Sequence, residues 1–236
     1  MKRLALILLL VLLGSAEAYA KAGGIADAPA VRHPLEMRKG RHEITLAEGV
    51  TLADSYTINL FTQISYKYHV LDWLGVGLEA SYGVSFASSL TSGIENEVNA
   101  GEWGQQNPGQ KYSMSRTGLA AMALLDIEFV PFSGKLVLFR KFLGYVDLHI
   151  DIGGGWALVR GIGRLDNEST GVFMVGGGFR FHPTDYLSVN LDVKDYMVYR
   201  ALNIPLEGSS EKKFTQNPAF FLGVSVFFPM KPERGF

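Results

Sequence analysis

The sequence contains no cysteine among its 236 residues. No disulfide can therefore stabilise the fold, and no lipid-modified N-terminal cysteine is available. An excess of charge of one sign is also missing, because 22 Lys and Arg residues accompany 23 Asp and Glu residues. A chain with a formal net charge of −1 has no general positive field that would attract nucleic acid.

Apolar runs long enough for a membrane-spanning helix are missing after the N-terminal region. The most apolar stretch there, residues 219–230, contains glycine, serine and proline and is 12 residues long, whereas a spanning helix needs about 20 apolar residues. At the N-terminus, two basic residues precede a short apolar run, and Ala18-Tyr19-Ala20 follows it. This pattern predicts a secretory signal peptide over residues 1–20, cleaved after Ala20, with Ala18 as the second candidate.

What the chain has instead is a polarity pattern with period two, repeated in eight segments of about ten residues. The clearest segment places Ile150 and Ile152 at one parity and Asp147, His149 and Asp151 at the other. Successive side chains of a strand point to opposite faces, so each segment predicts a strand with one apolar and one polar face. The predicted strands are residues 41–49, 56–68, 74–86, 117–130, 145–158, 171–182, 186–199 and 218–228.

Eight such strands, in a chain with 27 glycines, 15 phenylalanines and 10 tyrosines, predict an all-β fold. We expect an eight-stranded antiparallel up-and-down transmembrane β-barrel with a polar lumen. A soluble barrel that buries its apolar face is the alternative. The transmembrane form is favoured because a narrow lumen needs small residues on the polar face. Glycines occupy that face at positions 75, 77, 83, 153, 155, 176 and 178.

The predicted organisation is a signal peptide (1–20), a periplasmic leader with little structure (21–40), the barrel domain (41–229) and a short tail (230–236). The polar links 87–116, 159–170 and 200–217 follow odd-numbered strands and are expected to face outward, which places both termini in the periplasm. Two links fit poorly, because 50–55 is short for an outer loop and 131–143 is long for an inner turn. Tyr196 and Tyr199 are expected in an outer aromatic girdle.

Ten charged or imidazole side chains fall on the predicted lumen face. A barrel of eight strands has interior space only for side chains, and buried charges need partners. These residues are therefore predicted to pair as salt bridges that plug the lumen. The predicted lumen network comprises Glu79, Asp126, Glu128, Asp147, His149, Asp151, Arg180, His182, Asp192 and Lys194.

A motif of the form His-x-x-Asp-aromatic-Leu occurs twice, between predicted strands two and three and between strands six and seven. Its Asp is expected to bind N–H groups of the turn, and its aromatic residue to lie in an inner girdle. This periplasmic turn motif comprises His69, Asp72 and Trp73 in the first copy and His182, Asp185 and Tyr186 in the second.

The group that comes closest to a catalytic or metal-binding cluster is Asp147, His149 and Asp151. No serine is spaced to act as a nucleophile beside His149, and alternating Asp and His on one strand face are common by chance. We therefore predict no catalytic, cofactor-binding or metal site and no enzymatic activity.

Four segments carry a family resemblance: 39–43, 69–74, Gly134-Lys135 and 220–229. Through them the chain resembles the outer-membrane β-barrel domain proteins common in myxobacteria and related δ-proteobacteria. It is more distantly similar to barrels of the OmpA, OmpX and OmpW type. The resemblance spans about residues 39–229, implies an outer-membrane location and offers no catalytic residues. Such barrels usually end on an aromatic residue, and here Phe228 and the terminal Phe236 are both candidates for that role.

Taken together, these features predict a monomeric outer-membrane protein with a structural or surface-interaction role. Its expected partners are outer-membrane lipid, the barrel-insertion machinery and a surface ligand at loop 87–116. A narrow passive pore for small solutes or ions is the alternative, and a lipid-acting enzyme is the second. No nucleic-acid partner and no cofactor are expected.

Overall fold

The computed structural model describes residues 38–52, 56–138, 142–163, 165–201 and 212–231. The predicted signal peptide, the leader up to residue 37 and the last five residues of the tail lie outside this described part. The strands are β1 (His42–Thr51), β2 (Thr57–Leu71), β3 (Leu74–Ala87), β4 (Arg116–Leu138), β5 (Phe142–Ile162), β6 (Glu168–His182), β7 (Leu187–Ala201), β8 (Lys212–Thr215) and β9 (Pro218–Phe228). Two helices, α1 (Ser89–Ala100) and α2 (Glu102–Gln106), lie between β3 and β4.

The strands form one sheet that closes on itself. All pairings are antiparallel, and β1 pairs with both β2 and β9. β8 and β9 act as a single barrel strand, because both pair with β7 in one register: Val198 opposes Thr215, and Asp195 opposes Pro218. The fold is therefore a closed eight-stranded antiparallel β-barrel, which confirms the predicted fold class.

The pairings also fix how far the strands are staggered around the barrel. Successive partners of His42 are Tyr68, Val76, Ile127, Ile152, Val175, Asp195 and Pro218. The Pro218 carbonyl accepts the N–H of Leu52, ten residues beyond the starting point in β1. A stagger of this kind tilts the strands against the barrel axis, by about 35–45° in typical barrels.

Side chains alternate between the lumen and the outer surface along every strand. In β2 the odd-numbered side chains from Thr57 to His69 are buried, and the even-numbered ones from Ile58 to Val70 are exposed. Phe61 and Thr62 break the polarity pattern in the sequence, yet Phe61 is buried and Thr62 exposed. The backbone alternation therefore continues through a local exchange of polar and apolar residues.

The two ends of the barrel differ in the connections that they carry. The tight connections between β2 and β3 and between β6 and β7 lie at the end called here the turn end, together with both ends of the described chain. The opposite end, called the loop end, carries α1 and α2.

The link expected over residues 131–143 is largely strand. β4 continues to Leu138 and β5 begins at Phe142, and the two remain paired to their ends, so that they form a hairpin that extends beyond the turn end. Pro131 has no N–H to donate to a ladder hydrogen bond. Here it lies in a register shift between Phe129 and Phe132, and such a bulge tolerates proline.

The predicted loop 87–116 contains ordered helical structure at the loop end. Ser88 caps α1 by accepting the N–H of Thr91 at 3.2 Å. Glu95 of α1 accepts the N–H of Met114 at 2.8 Å and lies 3.2 Å from Arg116 Nη1. We call residues 88–115 the helical cap. In the described part of the chain, neither helix has the length and apolarity required to cross a membrane.

Candidate functional site

The lumen contains two layers of side chains with different chemistry. The half nearer the turn end, called the ionic layer, contains Glu43, Lys67, His69, Glu79, Asp126, Glu128, Asp147, His149, Asp151, Arg180, His182, Asp192 and Lys194, all of them buried. The half nearer the loop end, called the apolar layer, contains Ala47, Phe61, Leu119, Met122, Leu124, Ala157, Val159, Val172, Met174, Tyr196, Val198, Ala219 and Phe221. Further polar side chains, such as Asn59, Gln63 and Asn190, are buried beside these two layers, so buried side chains occupy both halves of the barrel.

Arg180 of β6 lies at the centre of the ionic layer. Its guanidinium donates two hydrogen bonds to Glu128, at 3.0 and 2.7 Å, and lies 3.3 Å from Glu43. Glu43 in turn lies 2.8 Å from Nε2 of His69, and the Phe227 ring covers the guanidinium at 5.8 Å. Bidentate pairing of this kind satisfies both partners in a fixed geometry, which compensates for the desolvation of the buried charges.

Lys67 of β2 holds three carboxylates together. Its Nζ lies 2.6 Å from Asp151, 2.8 Å from Glu128 and 3.0 Å from Asp126. The ammonium group donates hydrogen bonds to Glu128 and Asp151, and its contact with Asp126 is an ion pair. These contacts join β2, β4 and β5 across the lumen.

Two further histidines lie against carboxylates within the ionic layer. His149 Nε2 lies 3.0 Å from Asp192 and 3.5 Å from Asp151. His182 Nε2 lies 2.8 Å from Asp147 Oδ2. In each imidazole Nε2 is therefore within reach of a carboxylate oxygen.

Tyr196 lies where the ionic and apolar layers meet. Its hydroxyl donates to Glu79 at 2.8 Å, and Lys194 Nζ donates to the same carboxylate at 2.6 Å. The ring packs against Phe61 and Phe221 in the apolar layer. The expectation that Tyr196 belongs to an outer girdle is wrong, because its position in β7 has lumen parity and its polar hydroxyl reaches the ionic layer. Tyr199, of the opposite parity, is exposed.

Arg38 closes the lumen at the turn end. Although it belongs to the predicted leader, its side chain is only 1% exposed. The guanidinium donates to the Asp72 carbonyl at 2.8 Å and to Ser133 Oγ at 2.9 Å, and it pairs with Asp147. Asp72 Oδ1 accepts the backbone N–H of Arg38 at 2.9 Å. The final residues of the leader are therefore part of the barrel plug.

Arg41 links the opposite side of the turn end. Its guanidinium donates to the Pro229 carbonyl at 2.8 Å and to the Asp185 carbonyl at 2.7 Å, and it lies over the Phe227 ring. Burial lowers the pKa of Arg41, while the carboxylates of Asp185 and Glu43 oppose that lowering. The group stays a cation, because an arginine is not deprotonated in proteins.

Glycines leave room for the ionic layer where the network reaches the barrel wall. A methyl group on Gly77 would lie 2.6 Å from Lys67 Cγ, and one on Gly176 would lie 2.7 Å from Lys194 Cγ. Both distances are too short for carbon atoms, so any larger residue there would displace the lysines. The glycines on the polar face thus serve the packing of charged side chains.

All ten residues of the predicted lumen network lie inside the barrel, and each contacts a charged partner. In the turn motifs both histidines point into the lumen, while Trp73 and Tyr186 are exposed. The two Asp residues contact Arg38 and Arg41. In the second turn the N–H of Leu187 donates to Thr184 Oγ1.

Sequence reasoning missed several members of the network. Glu43 and Lys67 have lumen parity in their strands, so the alternation could have identified them. Tyr196 also has lumen parity, but its aromatic ring suggested a girdle. Arg38 and Arg41 precede the first strand, where no periodic pattern exists to show that they turn into the lumen.

The trio Asp147, His149 and Asp151 does not act as one group. Asp147 contacts Arg38 and His182, and Asp151 contacts Lys67. Two other sets of side chains have ligand atoms within 4.8 Å of one another: Glu43, His69 and Glu128, and Glu128, His149 and Asp151. Their shared carboxylate, Glu128, already binds Arg180 and Lys67. Both sets are therefore explained by internal ion pairs.

No family model and no curated protein matches the chain. Among solved structures, the N-terminal β-barrel domain of OprF from Pseudomonas aeruginosa is similar, with 9% identity, a TM-score of 0.47 and coverage of 80% of this chain and 98% of that chain. Ail, the attachment invasion locus protein of Yersinia pestis, has 13% identity, a TM-score of 0.41 and coverage of 80% and 99%. The outer membrane protein OprG from Pseudomonas aeruginosa has 11% identity, a TM-score of 0.39 and coverage of 83% and 99%. Likenesses this distant carry no inference about function.

Proposed function

We propose that the chain is an outer-membrane β-barrel protein whose turn end faces the periplasm and whose loop end faces outward. The outer surface supports this placement, because its exposed side chains along the strands are predominantly apolar. At the turn end, Trp73 is 48% and Tyr186 is 41% exposed. Amphipathic aromatic rings in such positions are typical of a membrane interface. Membership of the δ-proteobacterial barrel family stays a prediction from the sequence.

Its role, we propose, is structural or interactive, with no channel activity. The observation that carries this proposal is the filled lumen, in which a paired ionic layer is followed by an apolar layer. An ion moving along the axis would have to separate Arg180 from Glu128 and then pass between Phe61 and Phe221. Separating buried charge pairs and entering an apolar layer are both costly.

The helical cap is the part of the chain proposed to meet a surface ligand. It is held in place by Glu95 and by Asn99, which accepts the N–H of Tyr112 at 2.8 Å. An ordered loop loses less conformational entropy on binding than a disordered one. We propose no catalytic role, since the lumen carboxylates and histidines are engaged with one another.

The experiment that tests this proposal combines two measurements on the protein refolded in detergent. A barrel of this kind should migrate differently on a gel before and after boiling, and it should give no conductance steps in a planar lipid bilayer. Stable conductance steps from a heat-modifiable sample would support the pore. Solubility in plain buffer without a band shift would overturn the membrane placement itself.

A further inference from the structure

A groove lies on the outer surface of the barrel and crosses the strands β2 to β5. Ala80 and Ala123 are register partners at its centre. Ile64 flanks Ala80 on one side, and Trp156 flanks Ala123 on the other. The two small side chains therefore lie between two bulky ones. The volume of the groove is about 630 Å³, within the range of ligand-binding pockets in proteins. We call it the outer groove.

The polar atoms at the two ends of the outer groove are engaged with other side chains. At the upper end, Nε1 of Trp156 donates to Ser169 Oγ on the neighbouring strand β6. At the lower end, the Tyr66 hydroxyl lies 2.7 Å from His42 Nδ1. The rings of Trp156 and Tyr66 thus present carbon atoms to the groove. A molecule that occupies the groove has to be apolar along its length.

A basic side chain lies above the upper end of the outer groove. Arg160 is exposed, whereas Ala157 and Val159, at the opposite parity of β5, are buried. Arg160 lies four residues beyond Trp156 on the same face. At about 3.3 Å per residue and a tilt of about 45°, it is roughly 9 Å nearer the loop end. Within the described residues, Arg160 has no hydrogen-bond or ion-pair partner.

We propose that the outer groove binds an acyl chain of a lipid whose anionic phosphate headgroup pairs with Arg160. The proposal rests on the membrane placement proposed above, in which the groove opens into hydrocarbon and Arg160 lies at the level of the outward-facing headgroups. One leaflet contributes about 15 Å of hydrocarbon. A chain that starts beside Arg160 therefore reaches Trp156 within the same leaflet.

A lipid supplies both parts of this site at the observed separation. Its acyl chain matches the apolar groove, and the net negative charge of its headgroup lies at the membrane surface, where Arg160 lacks a partner. A basic residue at such a surface favours an anionic lipid by about five-fold. A groove without a cation above it would accept any acyl chain, so Arg160 is the residue that selects the headgroup.

Trp156 can report on the occupant of the groove. The sequence contains three tryptophans, so Trp73→Phe and Trp103→Phe together leave Trp156 as the single fluorophore. The heat-modifiable protein is inserted into phosphatidylcholine vesicles that contain increasing fractions of dibrominated phosphatidylglycerol or dibrominated phosphatidylcholine, whose bromine atoms quench indole fluorescence on contact. We expect phosphatidylglycerol to reach half-maximal quenching at an about five-fold lower fraction. Equal fractions for the two lipids would overturn the proposal.

Two charge variants in this background test the selection of the headgroup. Arg160→Gln and Lys111→Gln each remove an exposed cation at the loop end, but only Arg160 lies above the groove. We expect Arg160→Gln to abolish the preference for phosphatidylglycerol, and both Lys111→Gln and Arg160→Lys to retain it. An unchanged preference in Arg160→Gln would contradict the assignment of the headgroup site.

A filled groove tests the chain-binding part separately. Ala123→Leu fills the centre of the outer groove, and Val193→Leu enlarges an exposed side chain on β7, which does not border it. The preference should be lost in Ala123→Leu although Arg160 is present, and it should persist in Val193→Leu. If Ala123→Leu does not fold, Ala80→Leu takes its place. Persistence of the preference in the filled groove would overturn the proposal, whereas solubility without detergent would overturn the membrane placement itself.

Discussion

The two layers of the lumen fill the same barrel by opposite means. The ionic layer is held by directional contacts between charged groups, such as Arg180 with Glu128 and Lys67 with three carboxylates. The apolar layer is held by the fit of rings and aliphatic chains, such as Phe61 stacked on Phe221. The stability that a charged side chain contributes in the ionic layer depends on its partner. The stability that a ring contributes in the apolar layer depends on how well it fills the volume around it.

This difference predicts which substitutions each layer of the lumen tolerates. Removing one partner of a buried ion pair leaves the other charge without compensation. Removing atoms from the apolar layer leaves a cavity, and its cost depends on how far the surroundings relax. The ionic layer should therefore respond to the identity of a side chain, and the apolar layer to its size.

The largest effect is expected from Arg180→Met, which leaves Glu43 and Glu128 without their shared cation. We expect the free energy of unfolding to fall by about 4 kcal/mol, in the range for a broken buried pair. Denaturant unfolding of the refolded barrel measures it. The double variant with Glu128→Gln should lose clearly less than the sum of the two single variants, and strict additivity would mean that the pair is not coupled.

Leu119→Ala tests the apolar layer in the same assay. The side chain is fully buried, and a substitution of this type removes about 3 kcal/mol. Leu119→Met, which nearly conserves volume, should cost less than about 1.5 kcal/mol. A comparable loss for both substitutions would argue that size does not govern this layer.

Arg38→Ala tests the closure at the turn end. Loss of its hydrogen bonds leaves Asp147 with His182 as its remaining partner, and we expect a loss of about 2 kcal/mol. The bilayer should still show no conductance, because the rest of the ionic layer stays in place. Conductance in this variant would show that Arg38 blocks ion passage through the lumen and that the ionic and apolar layers do not.

Glu95→Ala is expected to have the smallest effect, because it acts outside the lumen. It removes the contacts to Met114 and Arg116 and should loosen the helical cap by about 1 kcal/mol. Proteolysis within residues 88–115 should become faster while barrel unfolding is unchanged. A lower barrel stability in this variant would indicate that the cap and the lumen are coupled.

The same two layers explain how far the sequence could be interpreted. In the ionic half, polar residues alternate with apolar ones, so strands, faces and ten lumen residues follow from the pattern. In the half nearer the loop end, apolar and aromatic side chains occur on both faces, and Phe61 and Tyr196 therefore could not be assigned by polarity. Three further features could not be predicted because they depend on long-range contacts that local patterns do not contain. They are the burial of Arg38, the continuation of β4 past Pro131 and the helices of the cap.

Arg41 has a consequence for how the barrel is assembled. The carbonyl groups that it binds belong to Asp185, before β7, and to Pro229, which follows the last strand. These groups converge only after β9 has joined β1 and the cylinder is shut. The Arg41 guanidinium thus stabilises the contact between the first and the last strand of the barrel. Its two hydrogen bonds can form only once the last strand is already paired with the first.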